Sequence, residues 1–209
     1  MSSPYDNFAK YYDGWFLSPF VKSLHKQAIK FAVPYIKDNS NILDVGCGTG
    51  AFLKQLVKRN KKLNLKVFGV DASQGMIKRA IKKKIPNANF QIAPAEDIPF
   101  PNDYFDLITC VDSFYYFNQP EFLADCHNCL KQDGYFFLNT MSIDHRKIII
   151  YPLTWFVGLF KMGQNMKHLK FQDIETMAIK KGFKIIKAEA KTYPITGFFK
   201  TWFIIFQKM

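Results

Sequence analysis

The sequence predicts an α/β fold: a doubly wound, mostly parallel sheet with helices on both faces. Helical and strand-like segments alternate along the chain, with no internal repeat or low-complexity tract to suggest another architecture. Two of the short β-prone runs end in acid- or glycine-bearing turns that open directly into helices. With 209 residues, 48% of them apolar, the chain can bury one sizeable core but not two full domains.

In order, the first helix is predicted from Pro19 to Tyr35. A short apolar strand, Asn41 to Val45, then runs into Gly46-Cys47-Gly48-Thr49-Gly50, and a helix follows from Ala51 to Arg59. Lys66 to Val70 reads as a second strand ending at Asp71, with a helix from Gln74 to Lys84 after it. Phe90 to Ala93 and Leu107 to Val111 read as buried strands. Pro120 to Lys131 reads as a helix closed by Asp133-Gly134, and Tyr135 to Asn139 as the next strand. A helix from Phe171 to Lys181 stops at Gly182. The tail supplies two strands, Phe183 to Ala190 and Phe199 to Gln207, and the short turn with Pro194 and Gly197 between them predicts an antiparallel pair.

Composition narrows the function classes. The longest nearly uncharged apolar stretch, Ile148 to Phe160, is shorter than the roughly 20 residues that span a bilayer. Met1 to Lys10 has no apolar signal region, so a cytoplasmic location is expected. Cys47, Cys110, Cys126 and Cys129 suit a reduced compartment. Cys126 and Cys129 lack two further ligands at metal-binding spacing, so they are expected as small buried side chains on one helix face and no metal site is assigned. The formal net charge of +12 invites a nucleic-acid reading, but 26 of the 29 basic residues are Lys, and only Arg59, Arg79 and Arg146 carry the bidentate fork that phosphate and base recognition favours. Lys58 to Lys62 and Lys82 to Lys84 fall at helix ends, where cations complement the dipole.

On an open α/β sheet a ligand lies outside the carboxyl ends of the strands. The glycines after the first strand let a backbone approach a ligand closely, and the helix behind them offers free N–H groups. Gly46, Gly48 and Ala51 also satisfy the dinucleotide pattern G-x-G-x-x-A, so the turn alone does not name its ligand. Asp44 does more to distinguish ligands: a carboxylate beside the loop is poorly placed for a pyrophosphate and suits a ligand with an ammonium group. Its structural alternative is a strand Asp satisfied by backbone N–H groups of the turn. Asp71 is placed to accept both hydroxyls of a ribose, with capping of the next helix as its alternative, a role open to Ser73 as well.

Leu43-Asp-Val-Gly-Cys-Gly-Thr-Gly50, Val70-Asp-Ala-Ser73, Ala95-Glu-Asp-Ile-Pro-Phe100 and Leu130-Lys-Gln-Asp-Gly134 resemble, in order, the motifs of class I S-adenosylmethionine-dependent methyltransferases, over Asn41 to Thr140. The resemblance implies a Rossmann-like sheet of seven strands with the last antiparallel, and S-adenosylmethionine as cofactor. It places Gly46, Cys47 and Gly48 at the methionine moiety, Asp71 at the ribose, and Ala72 and Met76 beside the adenine; Gly50, Tyr12 and Val111 complete the expected cofactor set. Where many members have Gly-Asp-Ala, this chain has Ala93-Pro94-Ala95. The usual adenine-facing acid is therefore missing, leaving the Ala95 N–H for the ring and Glu96 or Asp97 for its amine. The implied layout is a single domain: residues 1–36 a lid and helix, 37–140 the cofactor core, 141–170 a substrate-side cap, and 171–209 the last helix and strand pair.

Methyl transfer from a sulfonium asks mainly for alignment, and a general base only where the acceptor must lose a proton. His145, Asp112 and Tyr115 follow strand ends, and His145 is preferred for its near-neutral pKa. The segments outside the motifs are aromatic: Tyr5, Tyr11, Tyr12, Trp15 and Phe16, then Phe114 to Phe117, then Tyr151, Trp155, Phe156 and Phe160. These predict an apolar lid and a small apolar or aromatic acceptor, with core packing as the alternative. An RNA or DNA methyltransferase, a non-catalytic cofactor-binding module and a nicotinamide-dependent oxidoreductase remain as competing readings. Contact with a membrane surface and the oligomeric state stay open.

Overall fold

The computed structural model describes residues 6, 9, 18–143, 169–192 and 199–209. Helix α1 spans Ser18–Ala32 and runs on into a 3-10 turn, Val33–Tyr35. Strand β1 (Asn41–Val45), helix α2 (Ala51–Arg59), β2 (Lys66–Asp71), α3 (Gln74–Lys82), β3 (Ala88–Ile92) and β4 (Phe105–Val111) follow. Then come α4 (Gln119–Cys129), β5 (Leu130–Ile143), α5 (Phe171–Lys180), β6 (Phe183–Thr192) and β7 (Phe199–Lys208). The seven strands form one sheet in the order β3-β2-β1-β4-β5-β7-β6. Strands β1 to β5 pair in parallel, and β7 runs antiparallel between β5 and β6. The expected doubly wound topology is therefore present.

Alternate side chains of the central strands feed two cores. Ile42, Leu107 and Phe137 face Leu24 and Ala28 of α1 and Phe52, Leu53 and Leu56 of α2. Leu43, Ile108, Cys110 and Phe136 face Phe122, Leu123 and Cys126 of α4 and Ile174 and Ala178 of α5. Cys126 and Cys129 are unbridged and buried in this second core, as small apolar side chains would be. Basic residues close α2 (Lys58, Arg59), α3 (Arg79, Lys82) and α5 (Lys180), where they meet the negative end of each helix. No helix among the described residues is long and apolar enough to cross a membrane.

Several boundaries differ from expectation, strand β5 most, since it runs from Leu130 to Ile143 rather than from Tyr135 to Asn139. Strand β3 begins at Ala88 rather than Phe90 and ends at Ile92, because Ala88 and Asn89 pair with Val67 and Phe68 of β2 despite their weak intrinsic strand preference. Helix α4 stops at Cys129 instead of Lys131. The Cys129 carbonyl accepts from the Tyr104 N–H, and Leu130 turns extended (φ −73°, ψ 139°) to pair with Phe105, so sheet contacts overrule the local helical pattern. Asp133 then takes φ 61°, and β4 and β5 shift register by a bulge between Phe105 and Leu107.

Candidate functional site

Strands β1 and β4 are adjacent, and their connections leave in opposite directions across the sheet, which makes their carboxyl ends the switch point of the fold. The turn after β1 is tied down by its backbone: the N–H groups of Gly46 and Cys47 both donate to the Val70 carbonyl of β2, at 2.9 and 3.0 Å. Gly46, Gly48 and Gly50 all have positive φ, 70°, 52° and 72°. At Gly46 a Cβ would lie 2.5 Å from Ser113 Oγ, so only glycine admits the loop after β4 this closely. Around Gly48 the same test finds nothing within 4 Å, so the turn presents bare backbone to open space there. The Cys47 side chain lies against Gly69 of β2, where a Cβ would meet its Sγ at 2.8 Å, and Cys47 also lines the cleft.

Two acids flank the turn, Asp44 buried and Asp71 half-buried. Asp44 Oδ1 accepts from Thr109 Oγ1 of β4 at 2.7 Å, so this hydroxyl partner comes from the neighbouring strand rather than from the turn. Burial raises the Asp44 pKa to about 7; the Thr109 bond lowers it and the nearby Asp71 charge raises it further. Asp71 accepts the Gly48 N–H on Oδ2 at 2.8 Å and the Ser73 N–H on Oδ1 at 2.9 Å. Burial still pushes its pKa up against those two bonds. The capping alternative for Asp71 is filled by other residues. Ser73 caps α3 by accepting from the Met76 N–H at 3.2 Å, and Asp6 Oδ1 accepts from both Ser73 Oγ (2.7 Å) and the Gly75 N–H (2.9 Å).

Asp44, Gly46, Gly48, Thr49, His25 and Val111 line the cleft between the turn and the tip of β4. His25 comes from α1 and was not singled out in the sequence. Its Nδ1 lies 3.0 Å from Gln55 Nε2, and its ring meets Phe52 edge-on at 5.8 Å. Burial, helped by the Lys83 charge, lowers its pKa to about 4, so it lines the cleft as a neutral imidazole at physiological pH. Both partners lie on α2, which no pattern within α1 could reveal.

On the side expected for adenine, Ala72 is exposed, Met76 is buried in the first turn of α3, and Ala95 is buried. Glu96 Oε1 accepts the Asn118 N–H at 2.6 Å, which ties this acid to the start of α4; Asp97 is exposed. Beyond β4, Phe114 and Phe117 pack on Phe122 with ring centroids 5.9 and 5.0 Å away, so they serve the core under α4. Asp112 stands at the strand tip with φ 58° and a buried carboxyl oxygen, Oδ1, that has no hydrogen-bond partner. Tyr12 and His145, and the aromatic residues of 1–16 and 151–160, lie outside the described residues.

A family model described as a methyltransferase domain matches residues 43–138. An uncharacterised protein of Methanocaldococcus jannaschii is 28% identical over 209 aligned residues, covering 87% of this chain and 75% of that protein. The mitochondrial arginine-hydroxylase of Rattus norvegicus is 37% identical over 95 residues, covering 45% of this chain and 26% of its own length. In fold, the chain is similar to a methyltransferase from Haloferax volcanii solved with the Trm112 activator (TM-score 0.72, 15% identity, 98% of each chain). It is similar also to phosphoethanolamine N-methyltransferase 2 of Haemonchus contortus in complex with S-adenosylmethionine (TM-score 0.69, 16% identity, 88% of this chain and 52% of that one).

Proposed function

Because this chain belongs to the class I S-adenosylmethionine-dependent methyltransferases, we propose that it moves the methyl group to a small acceptor with an apolar or aromatic body. The observation that carries this reading is the pair of acids, Asp44 buried and Asp71 half-buried, on either side of a turn that is open at Gly48. Two carboxylates in mutual electrostatic reach would repel a pyrophosphate, whereas a cationic amino-acid nucleoside relieves the cost of burying them. The residues fit that group: Asp44 for the ammonium, the bare backbone at Gly48 for close approach, the remaining lone pairs of Asp71 for the ribose hydroxyls, and Ala72, Met76 and the Ala95 N–H for the adenine.

When bound, the sulfonium supplies an already activated methyl group. What the protein adds is alignment and exclusion of water, and alignment of this kind is worth roughly 7 to 11 kcal/mol of barrier. His25 and Val111 line the same cleft as Asp44. Residues 1–36 are read as a lid, with Tyr12, followed by the helix α1 that packs on the sheet, and 141–170, with His145, as the acceptor-side cap. The lysine-rich, helix-end placement of the basic charge favours a small acceptor over nucleic acid. Four unbridged buried cysteines favour the cytoplasm.

Calorimetry with S-adenosylmethionine, S-adenosylhomocysteine and NADH, followed by transfer of radiolabelled methyl into the small-molecule fraction of a cell extract, tests the proposal. Binding of the first two, not of NADH, and label transfer abolished by Asp71→Ala are expected. Label in RNA or DNA, or binding without transfer, overturns it.

A further inference from the structure

We propose that Asp112 is the residue that receives the acceptor: its Oδ1 takes the N–H or O–H of the attacking group, holds that group in line with the methyl, and accepts its proton. This rests on the methyl-transfer reading and makes it more specific, because it restricts the acceptor to a hydroxyl or a neutral amine.

The placement comes first. Asp112 follows Val111, which lines the cleft, and precedes Ser113, whose Oγ lies 2.5 Å from where a Gly46 Cβ would project and donates to the Val45 carbonyl at 3.2 Å. It therefore sits where the tip of β4 meets the glycine turn. Its backbone is fixed by an N–H bond to the Asn139 carbonyl of β5 at 3.0 Å, in a left-handed conformation that aspartate and asparagine both tolerate. Asparagine would satisfy the backbone equally well without burying a charge, so the conformation does not explain the carboxylate.

The partners come second. Asp44 and Asp71 hold hydroxyl or N–H donors, but on Asp112 only the bond to Tyr115 opposes burial, and Oδ1 is buried without a donor. A buried acceptor atom left unpaired is costly and calls for an explanation; a ligand that brings the donor supplies one. Burial raises the Asp112 pKa to about 6, which suits proton acceptance near neutrality. Of the titratable groups around it, Tyr115 on the following turn is hydrogen-bonded to it, and Cys110 on the same strand stays a neutral thiol, its pKa pushed above the physiological range.

The step balances. The lone pair of the acceptor forms the new bond to the methyl carbon, and the carbon–sulfur bond breaks with its electrons on sulfur. The acceptor proton passes to Asp112 Oδ1 and then to water. On transfer the cofactor's positive charge and the carboxylate's negative charge are both neutralised, and release of the proton to water restores the carboxylate.

The test compares wild type with Asp112→Asn and Asp112→Glu, using S-adenosylhomocysteine and the small-molecule fraction of a cell extract as probes. Expected for Asn are S-adenosylhomocysteine affinity within about twofold of wild type, by calorimetry, and methyl transfer lower by roughly 100-fold or more. The acidic limb of the pH–rate profile, near the pKa of about 6, should disappear in the residual activity of Asn and be kept in Glu. Native mass spectrometry with S-adenosylhomocysteine bound should show an N–H- or O–H-bearing compound retained by wild type and lost from Asn. Transfer by Asn within about threefold of wild type, or an unchanged acidic limb, overturns the inference and leaves the methyl-transfer reading standing. Failure of wild type to transfer methyl while binding the cofactor overturns both.

Discussion

Asp71 and Asp112 are two half-buried acids at strand tips, one on each side of the glycine turn, and they differ in what their oxygens hold. Each oxygen of Asp71 carries a backbone N–H, from Gly48 and from Ser73, so this acid is part of the scaffold that shapes the turn. Asp112 has one oxygen buried and unpaired. Two N–H bonds offset part of the cost of burying Asp71, whereas on Asp112 only the Tyr115 bond does so, and Oδ1 is left for a donor that the fold does not provide. On the proposed reading, the half of the site assigned to the cofactor is built in advance, and the half assigned to the acceptor is completed by its ligand.

The sharpest way to break this contrast is to remove each carboxylate in turn. Asp71→Ala strands two backbone N–H groups, and with charge-assisted bonds worth about 1.5 to 3 kcal/mol each, urea denaturation should show a loss of roughly 4 kcal/mol. Cofactor affinity should fall by at least about 100-fold in the same variant, since the turn and the ribose contact go together. Asp112→Asn should do the opposite to stability. An acid whose folded pKa is raised to about 6 is stabilising in its neutral form below the unfolded value, and that stability drains away as pH rises through 6. At pH 7.5 the Asn variant should accordingly match or exceed wild type, by about 1 kcal/mol, and the two should converge near pH 4. If Asp112→Asn destabilised the fold as much as Asp71→Ala does, both acids would be scaffold and the contrast would be lost.

Asp44 lies between these cases, with a single hydroxyl partner and a pKa raised to about 7. Its contribution to the stability of the free protein is complete below the unfolded carboxylate pKa and is lost as pH rises through 7. An ammonium group in the cleft reverses that preference, so cofactor binding should release a proton. Affinity for S-adenosylhomocysteine should rise with pH by up to about tenfold per unit below 7 and level off above it. In Asp44→Asn the affinity should be weaker and flat with pH. Calorimetry in buffers of different ionisation enthalpy reads the released proton directly, and a pH-independent affinity in wild type would remove Asp44 from the ammonium site.

The same division governs what could be read from the sequence. The unit from β1 to α3 was legible almost to the residue, because positive-φ glycines, a capping serine and basic helix ends are local signals. Strand β3 and the end of α4 were misplaced where pairing with β2 and contacts with Tyr104 and Phe105 outweighed local preference. Within the site, Asp44 and Asp71 were found from their spacing to the glycines. His25 was not, because the residues that bury it lie on another helix, and Asp112 ranked below His145 because an unpaired oxygen is a property of the folded surroundings. Asp6 could not be found at all: its two donors, Ser73 and Gly75, are distant in sequence.

Asp6 also offers the mildest test, at the start of α3, where a local cap and a distant one meet on a single hydroxyl. Ser73 Oγ accepts from the Met76 N–H and donates to Asp6, while Asp6 independently accepts from Gly75. Ser73→Ala removes the first two bonds and should cost about 1 kcal/mol, the usual value of a serine cap. Asp6→Ala should cost about the same or less, because the Gly75 N–H regains water when the acid leaves. The double variant should cost less than the sum of the two, by a few tenths of a kcal/mol, since one bond is counted in both single changes. Strict additivity in urea denaturation would mean that Asp6 does not rest on this helix in solution.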